Sequence, residues 1–181
     1  MRESDSSEAT LATTCAVCGG KARVSFRQLE IPHFGGVMQS LLVCEGCGYR
    51  HADVISLEQR EPAKYTLRVE SPEELNARVV RSSRGRVELP ELGVAIEPAA
   101  EAQGFITNVE GVLHRVLEVL ESCLRWAEDE PRRRRAEELM ERVRRIIDGK
   151  EKVTLIISDP TGCSAIISEK AVREVLHDTE G

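Results

Sequence analysis

Cys15-Ala16-Val17-Cys18-Gly19-Gly20 and Cys44-Glu45-Gly46-Cys47-Gly48-Tyr49 are two Cys-x-x-Cys-Gly stretches separated by 25 residues. Two residues between cysteines let both sulfurs converge on one ion, and the glycine after each pair suits a tight turn at positive φ. Duplicated knuckles at this spacing predict one zinc ion held by Cys15, Cys18, Cys44 and Cys47. Four thiolates leave no open position for water, so the zinc is expected to be structural. Two other readings of the cysteines are weaker. Disulfides need an oxidising compartment, and the polar start Met1-Arg2-Glu3-Ser4-Asp5 has no apolar signal region. A thioredoxin-like redox pair would open a helix within a βαβ unit, whereas these motifs sit between short strand-like runs.

Length and composition bound the rest. A chain of 181 residues has room for one ordinary domain plus a small module that metal must stabilise. Apolar content of 41% against 31% charged residues is globular, and no apolar run approaches the roughly eighteen residues a membrane span requires. A soluble, cytoplasmic protein is expected. Net charge is −6, from 25 basic and 31 acidic residues, with only 3% aromatic residues. Such a chain is ill suited to general nucleic-acid binding or to a base-stacking platform.

Residues 1–14 are rich in Ser, Thr, Ala and acids without periodicity and read as a disordered tail. Residues 15–56 read as the zinc ribbon. Lys21 to Gln28 and Val37 to Val43 have strand composition, broken at a tip by Ile31-Pro32-His33-Phe34-Gly35-Gly36. After Glu61-Pro62, residues 61–181 read as a β domain. Strands are expected at Lys64–Glu70, Ala77–Arg81, Arg86–Leu89 and Val153–Ile157, the last paired with Ala165–Ile167 through the turn Asp159-Pro160-Thr161-Gly162. A helical hairpin interrupts this domain at about 108–148. Val109, Val112, Leu113, Val116, Leu117, Leu120 and Leu124 stripe its first helix behind a Thr107-x-x-Glu110 capping box. Glu130-Pro131 starts the second, with Ala136, Leu139, Met140, Val143, Ile146 and Ile147 inward and Gly149 at its end. The fold class is therefore mainly β with an α insertion.

No catalytic constellation emerges. His33, His51, His114 and His177 have no spacing that suggests a second metal or a nucleophile–base pair, and no phosphate loop or Gly-x-Ser-x-Gly elbow occurs. The run Arg132–Arg135 lies in a segment, 128–152, with nine basic and eight acidic residues, and reads as a solvated helix start laced with ion pairs. Arg78, Arg81, Arg84 and Arg86 fall within nine residues without an intervening acid. They suit the grip of a carboxylate-rich partner or phosphate, or equally a soluble edge strand. The tip residues Ile31, His33 and Phe34 suit either protein recognition or burial against the β domain. Cys123 reads as core packing in the first helix and Cys163 as a free thiol in a turn.

Several stretches occur together and in order: Cys-x-x-Cys-Gly-Gly, Ile31-Pro32-His33-Phe34-Gly35, Cys44-x-x-Cys47-Gly-Tyr49-Arg50, Arg78-Val79-Val80-Arg81-Ser82-Ser83, Pro90-Glu91-Leu92, Thr107-Asn108-Val109-Glu110-Gly111 and Asp159-Pro160-Thr161-Gly162. From about residue 15 to 168 the chain resembles the ZPR-type zinc-finger protein family, in the single-module archaeal form. Cys163 stands where the family more often has asparagine. The resemblance implies a zinc ribbon followed by a double-stranded β-helix domain carrying a helical hairpin. It also implies a non-enzymatic binder of translation elongation factor one-alpha, favouring the GDP form and assisting its folding; some eukaryotic relatives also bind a growth-factor receptor kinase. The alternative from the residues alone is a nucleic-acid-binding zinc ribbon of the transcription or translation apparatus.

Overall fold

The computed structural model describes residues 8–99 and 102–176. Strands β1 (Glu8–Thr14), β2 (Lys21–Ile31), β3 (Gly35–Cys44) and β4 (Arg50–Ser56) form an antiparallel sheet in chain order. Its long central ladder runs from Ala22 opposite Cys44 to Ile31 opposite Gly35. Nine steps at about 3.4 Å put roughly 30 Å between the knuckle end and the tip. The expected tail is corrected here: its residues 1–7 lie outside the described residues, but Glu8–Thr14 is a strand, registered from Glu8 opposite Arg27 to Thr14 opposite Lys21. Every β1 residue is exposed. With no buried face to enforce an apolar alternation, its strand character does not show as periodicity; β2 supplies the ladder.

The rest of the chain builds two facing sheets. The five-stranded sheet has the order β12 (Val172–Val175), β5 (Ala63–Val69), β10 (Val153–Asp159), β7 (Arg86–Leu89), β8 (Val94–Ile96). The three-stranded sheet has the order β11 (Ala165–Ile167), β6 (Arg78–Arg81), β9 (Phe105–Asn108). A short helix α1 (Pro72–Leu75) follows β5, and a 3-10 turn (Pro90–Leu92) follows β7. The hairpin of α2 (Val109–Trp126) and α3 (Glu130–Ile147) is inserted between β9 and β10. The expected pairing of Ala165–Ile167 with the preceding strand is overturned, since β11 pairs with β6 across the domain. The left-handed Gly162, φ 67°, turns the chain off the five-stranded sheet.

Alternation fixes β10 in the middle: Val153, Leu155, Ile157 and Asp159 point inward. Against them pack the stripes of both helices, with Val112, Leu113 and Val143 wholly inaccessible. Helix α2 is capped one residue later than expected, by Asn108, whose side chain accepts from Gly111 N at 2.8 Å. Thr107 is occupied in β9, opposite Val79. Helix α3 opens on Asp129, which accepts from Arg132 N at 2.8 Å, and ends before the left-handed Gly149. Cys123 is exposed and not in the core; three residues past Leu120, it lies at the margin of the stripe. No helix among the described residues is long and apolar enough to cross a membrane.

Candidate metal centre and the seat of the ribbon

Both knuckles close in the same way. Gly19 N donates to Cys15 O at 2.9 Å and Cys15 N to Gly20 O at 2.8 Å; Gly48 N donates to Cys44 O at 3.0 Å and Cys44 N to Tyr49 O at 2.8 Å. Gly19 and Gly48 stand at φ 69° and 75°, in the left-handed region that their lack of Cβ permits. The four sulfurs lie within 4.8 Å of one another, with Cys15–Cys47 and Cys18–Cys44 each at 3.6 Å. Tetrahedral zinc with Zn–S bonds of about 2.3 Å requires sulfurs about 3.8 Å apart, so the donor set fits one zinc ion. Cys15 and Cys44 are buried, Cys18 and Cys47 exposed.

The electrostatics of the set point the same way. The Cys15 thiol is drawn down to about 7, chiefly by the Cys18 backbone N–H. The Tyr49 backbone N–H favours the Cys47 thiolate, but the crowding thiols, Cys18 first, push Cys47 up to about 12. Four thiolates cannot share this volume without a cation, and a dication removes the penalty. The zinc would cross-link the start of β2 to the end of β3 at the knuckle end of the ladder and supply no chemistry beyond that.

At the opposite end the ribbon is seated on the three-stranded sheet. Ile31, Phe34, Val37 and Val54 form a buried cluster with Val80 and Ala165. Ile31 is 2% and Phe34 3% exposed, so the two are corrected from contact residues to seat residues. Phe34 N donates to Ile31 O at 2.9 Å, and His33, exposed at φ 64°, is the turn's left-handed residue. Arg60 lies over the Phe34 ring, 4.1 Å from its centroid, and donates to Phe34 O.

The four arginines separate. Arg78 is exposed at the start of β6. Arg81 is only 2% exposed and is likewise corrected: its Nε donates to Gly85 O at 2.9 Å and its Nη1 to Gln103 O at 2.7 Å. Burial lowers its pKa, and the charges of Asp159 and Asp53 oppose that shift. Arg84 lines an open cavity of about 420 Å³ with His51, Ser83, Pro98 and Ala99. Arg86 is paired with Glu88 at 3.1 Å and Glu97 at 2.9 Å. Three of the four helix-start arginines pair as expected, Arg132 with Asp129, Arg134 with Glu130 and Arg135 with Glu138.

The hydrogen-bonding roles of two acids escaped the sequence reading. Asp53 of β4 accepts from Ser83 N and Ser83 Oγ, both at 2.8 Å, which ties the ribbon to the β domain. Asp159, fully buried, accepts from Ser82 Oγ at 2.7 Å, Thr161 N at 2.7 Å and Ser164 Oγ. Ser82-Ser83 after an arginine was the available signal, but the acids it serves lie 30 and 77 residues away. Gly104 completes the seam. A Cβ there would come within 2.6 Å of Val54 N and 3.0 Å of Arg81 O. Of the histidines, His51 stacks on Tyr49 and His114 faces Glu110, and neither belongs to the four-cysteine cluster; His177 lies outside the described residues. Cys163 donates to Thr161 O at 3.6 Å.

Comparison with known proteins agrees with this architecture. Residues 9–62 match the ZPR1 zinc-finger domain and residues 73–178 the ZPR1 jelly-roll domain. The chain is 49% identical to an uncharacterized ZPR1-like protein of Methanocaldococcus jannaschii, over 92% of this chain and 85% of that protein. It is 48% identical to one of Pyrococcus horikoshii, over 86% and 72%. More distant is the zinc finger chaperone zpr1 of Schizosaccharomyces pombe, 33% identical over 61% of this chain and 24% of that protein. Ribbon, jelly roll and four-cysteine centre thus converge: the chain belongs to the ZPR1 family.

Proposed function

We propose that this chain is a non-enzymatic, cytoplasmic protein-binding module that engages translation elongation factor one-alpha, GDP-bound or still folding, as a chaperone or regulator. The observation that carries the protein-binding part is the apolar surface left outside a well-filled core. Leu11, Ile55 and Leu57 on the ribbon and Val119 and Trp126 on the hairpin are each 47–82% exposed. Trp126 rims a groove of about 550 Å³ with Leu120, Cys123 and Leu139. Apolar surface rimmed by charge is characteristic of protein-interaction sites. The identity of the partner rests on the family resemblance. The printed name of the fission yeast relative, a zinc finger chaperone, supports the chaperone part, though this chain spans only 24% of that protein. Pro32 and His33, displayed on a tip clamped by Ile31 and Phe34, together with Arg78 and Arg84, are the contacts proposed for the partner.

Ion pairing of Arg86 and of the hairpin arginines, and burial of Arg81, favour protein over nucleic acid as partner. Calorimetric titration of the zinc-loaded chain with elongation factor one-alpha, in GDP and in a non-hydrolysable GTP analogue, tests the proposal. Saturable binding that depends on the nucleotide supports it. Absence of binding to both forms and to the refolding factor, with nucleic-acid affinity falling steeply with salt, would replace it by the nucleic-acid reading.

A further inference from the structure

β1 is a seven-residue edge strand, exposed along its whole length. Sheet edges are ordinarily protected by proline, lysine, a bulge or a covering element. Glu8-Ala9-Thr10-Leu11-Ala12-Thr13-Thr14 has no proline or lysine, its register with β2 is unbroken, and among the described residues no strand pairs with its outer side. The two faces flanking that edge differ in chemistry. Register and alternation put Leu11, Val24, Leu42, Phe26, Met38 and Ile55 on one face, of which Leu11 is 59% and Ile55 50% exposed. The other face, beside Glu8, Thr10, Ala12 and Thr14, carries Arg27, Arg23 and Lys21, all exposed. A single acid from β1 stands among those three cations, and Arg23 is further paired with Glu45.

We propose that the free edge of β1 takes up an extended segment of another protein, alternating apolar and acidic residues, as a fifth strand of the ribbon. The inference rests on the reading of this chain as a protein-binding module. Main-chain hydrogen bonds hold such a strand whatever its sequence, and alternate side chains set its specificity. Its apolar residues extend the Leu11–Val24–Leu42 row, and its acids approach Lys21, Arg23 and Arg27. A second copy of β1 fits less well, because antiparallel pairing centred on Leu11 brings two basic faces side by side with one Glu8 from each chain.

The test uses the full zinc-loaded chain and two labelled peptides, Glu-Val-Glu-Leu-Glu-Val-Glu and its counterpart with lysine for glutamate. Fluorescence anisotropy reads affinity and hydrogen exchange reads the β1 amides. The proposal expects the acidic peptide to bind at least tenfold tighter and to protect the alternate, outward-pointing amides within residues 9–13. Lys21→Glu with Arg27→Glu should invert the preference, and Leu11→Pro should abolish binding while leaving zinc content unchanged. Equal affinity for both peptides, or unaltered binding by the Leu11→Pro protein, overturns it. So does a dimer in sedimentation with β1 amides protected before peptide is added, which would assign the edge to a second copy. Peptide failure with elongation-factor binding intact refutes strand addition alone; peptide binding without factor binding refutes the choice of partner alone.

Discussion

Replacement of Phe34 by alanine separates a seat residue from a contact residue. The ring is 3% exposed, packed with Ile31, Val37, Val54, Val80 and Ala165, and covered by the Arg60 guanidinium at 4.1 Å. Truncating a buried phenylalanine costs about 3–5 kcal/mol in lost transfer energy and residual cavity. Loss of the cation–π contact adds about 0.5–1 kcal/mol. A total near 5 kcal/mol corresponds to a fall in Tm of roughly 10–20 °C for a domain of this size. Calorimetric melting of the zinc-loaded protein measures it. His33→Gly, one position away, is the control: the exposed side chain sits at φ 64°, where glycine relieves backbone strain, so its Tm should hold or rise slightly. A Phe34→Ala protein melting within about 2 °C of the parent would refute the reasoning, because truncation of a buried ring cannot be that cheap.

Asp159→Ala should be among the costlier single changes, about 3–5 kcal/mol by urea denaturation, since it strands the Ser82 and Ser164 hydroxyls and removes an anion from beside buried Arg81; a loss below about 1 kcal/mol would contradict the network. The ion pair with Lys170 and the Ser71 hydroxyl hold the Glu74 carboxyl at about 2, below its ordinary 4.5. A depressed carboxyl stabilises above its unfolded value, so this contribution is complete above pH 4.5 and disappears as pH falls toward 2. Lys170→Met should therefore flatten the acid limb of a urea-midpoint profile, and an unchanged profile would show that the pair contributes nothing.

What the sequence made legible follows from how local each signal is. Each knuckle, each helix stripe and β10 carries its evidence within about sixteen residues or fewer, and each is found where its pattern places it. The seam was not legible, because its members are scattered. Ser83 reads as a turn residue until Asp53 arrives from the ribbon, and Asp159 reads as a turn former until Ser82 and Ser164 converge on it. Ile31 and Phe34 show the same limit: an apolar tip is equally consistent with a partner and with a seat until Val80 and Ala165 are brought beneath it. β1 was missed for the opposite reason, since it buries nothing and so leaves no periodicity to read. Helix α2's cap slipped by one residue because Thr107 and Asn108 are both good cap formers and only the ladder to Val79 decides between them.

The claim on which the account turns is that a single zinc ion, bound by Cys15, Cys18, Cys44 and Cys47, holds the ribbon together. Elemental analysis combined with amide hydrogen exchange, before and after removal of the metal by a strong chelator, addresses it directly. The account predicts one zinc per chain. On chelation it predicts loss of protection through β2 and β3 near the knuckles, with the β10 amides still protected by the jelly-roll core. A metal-free protein whose β2 and β3 amides stay protected would contradict it.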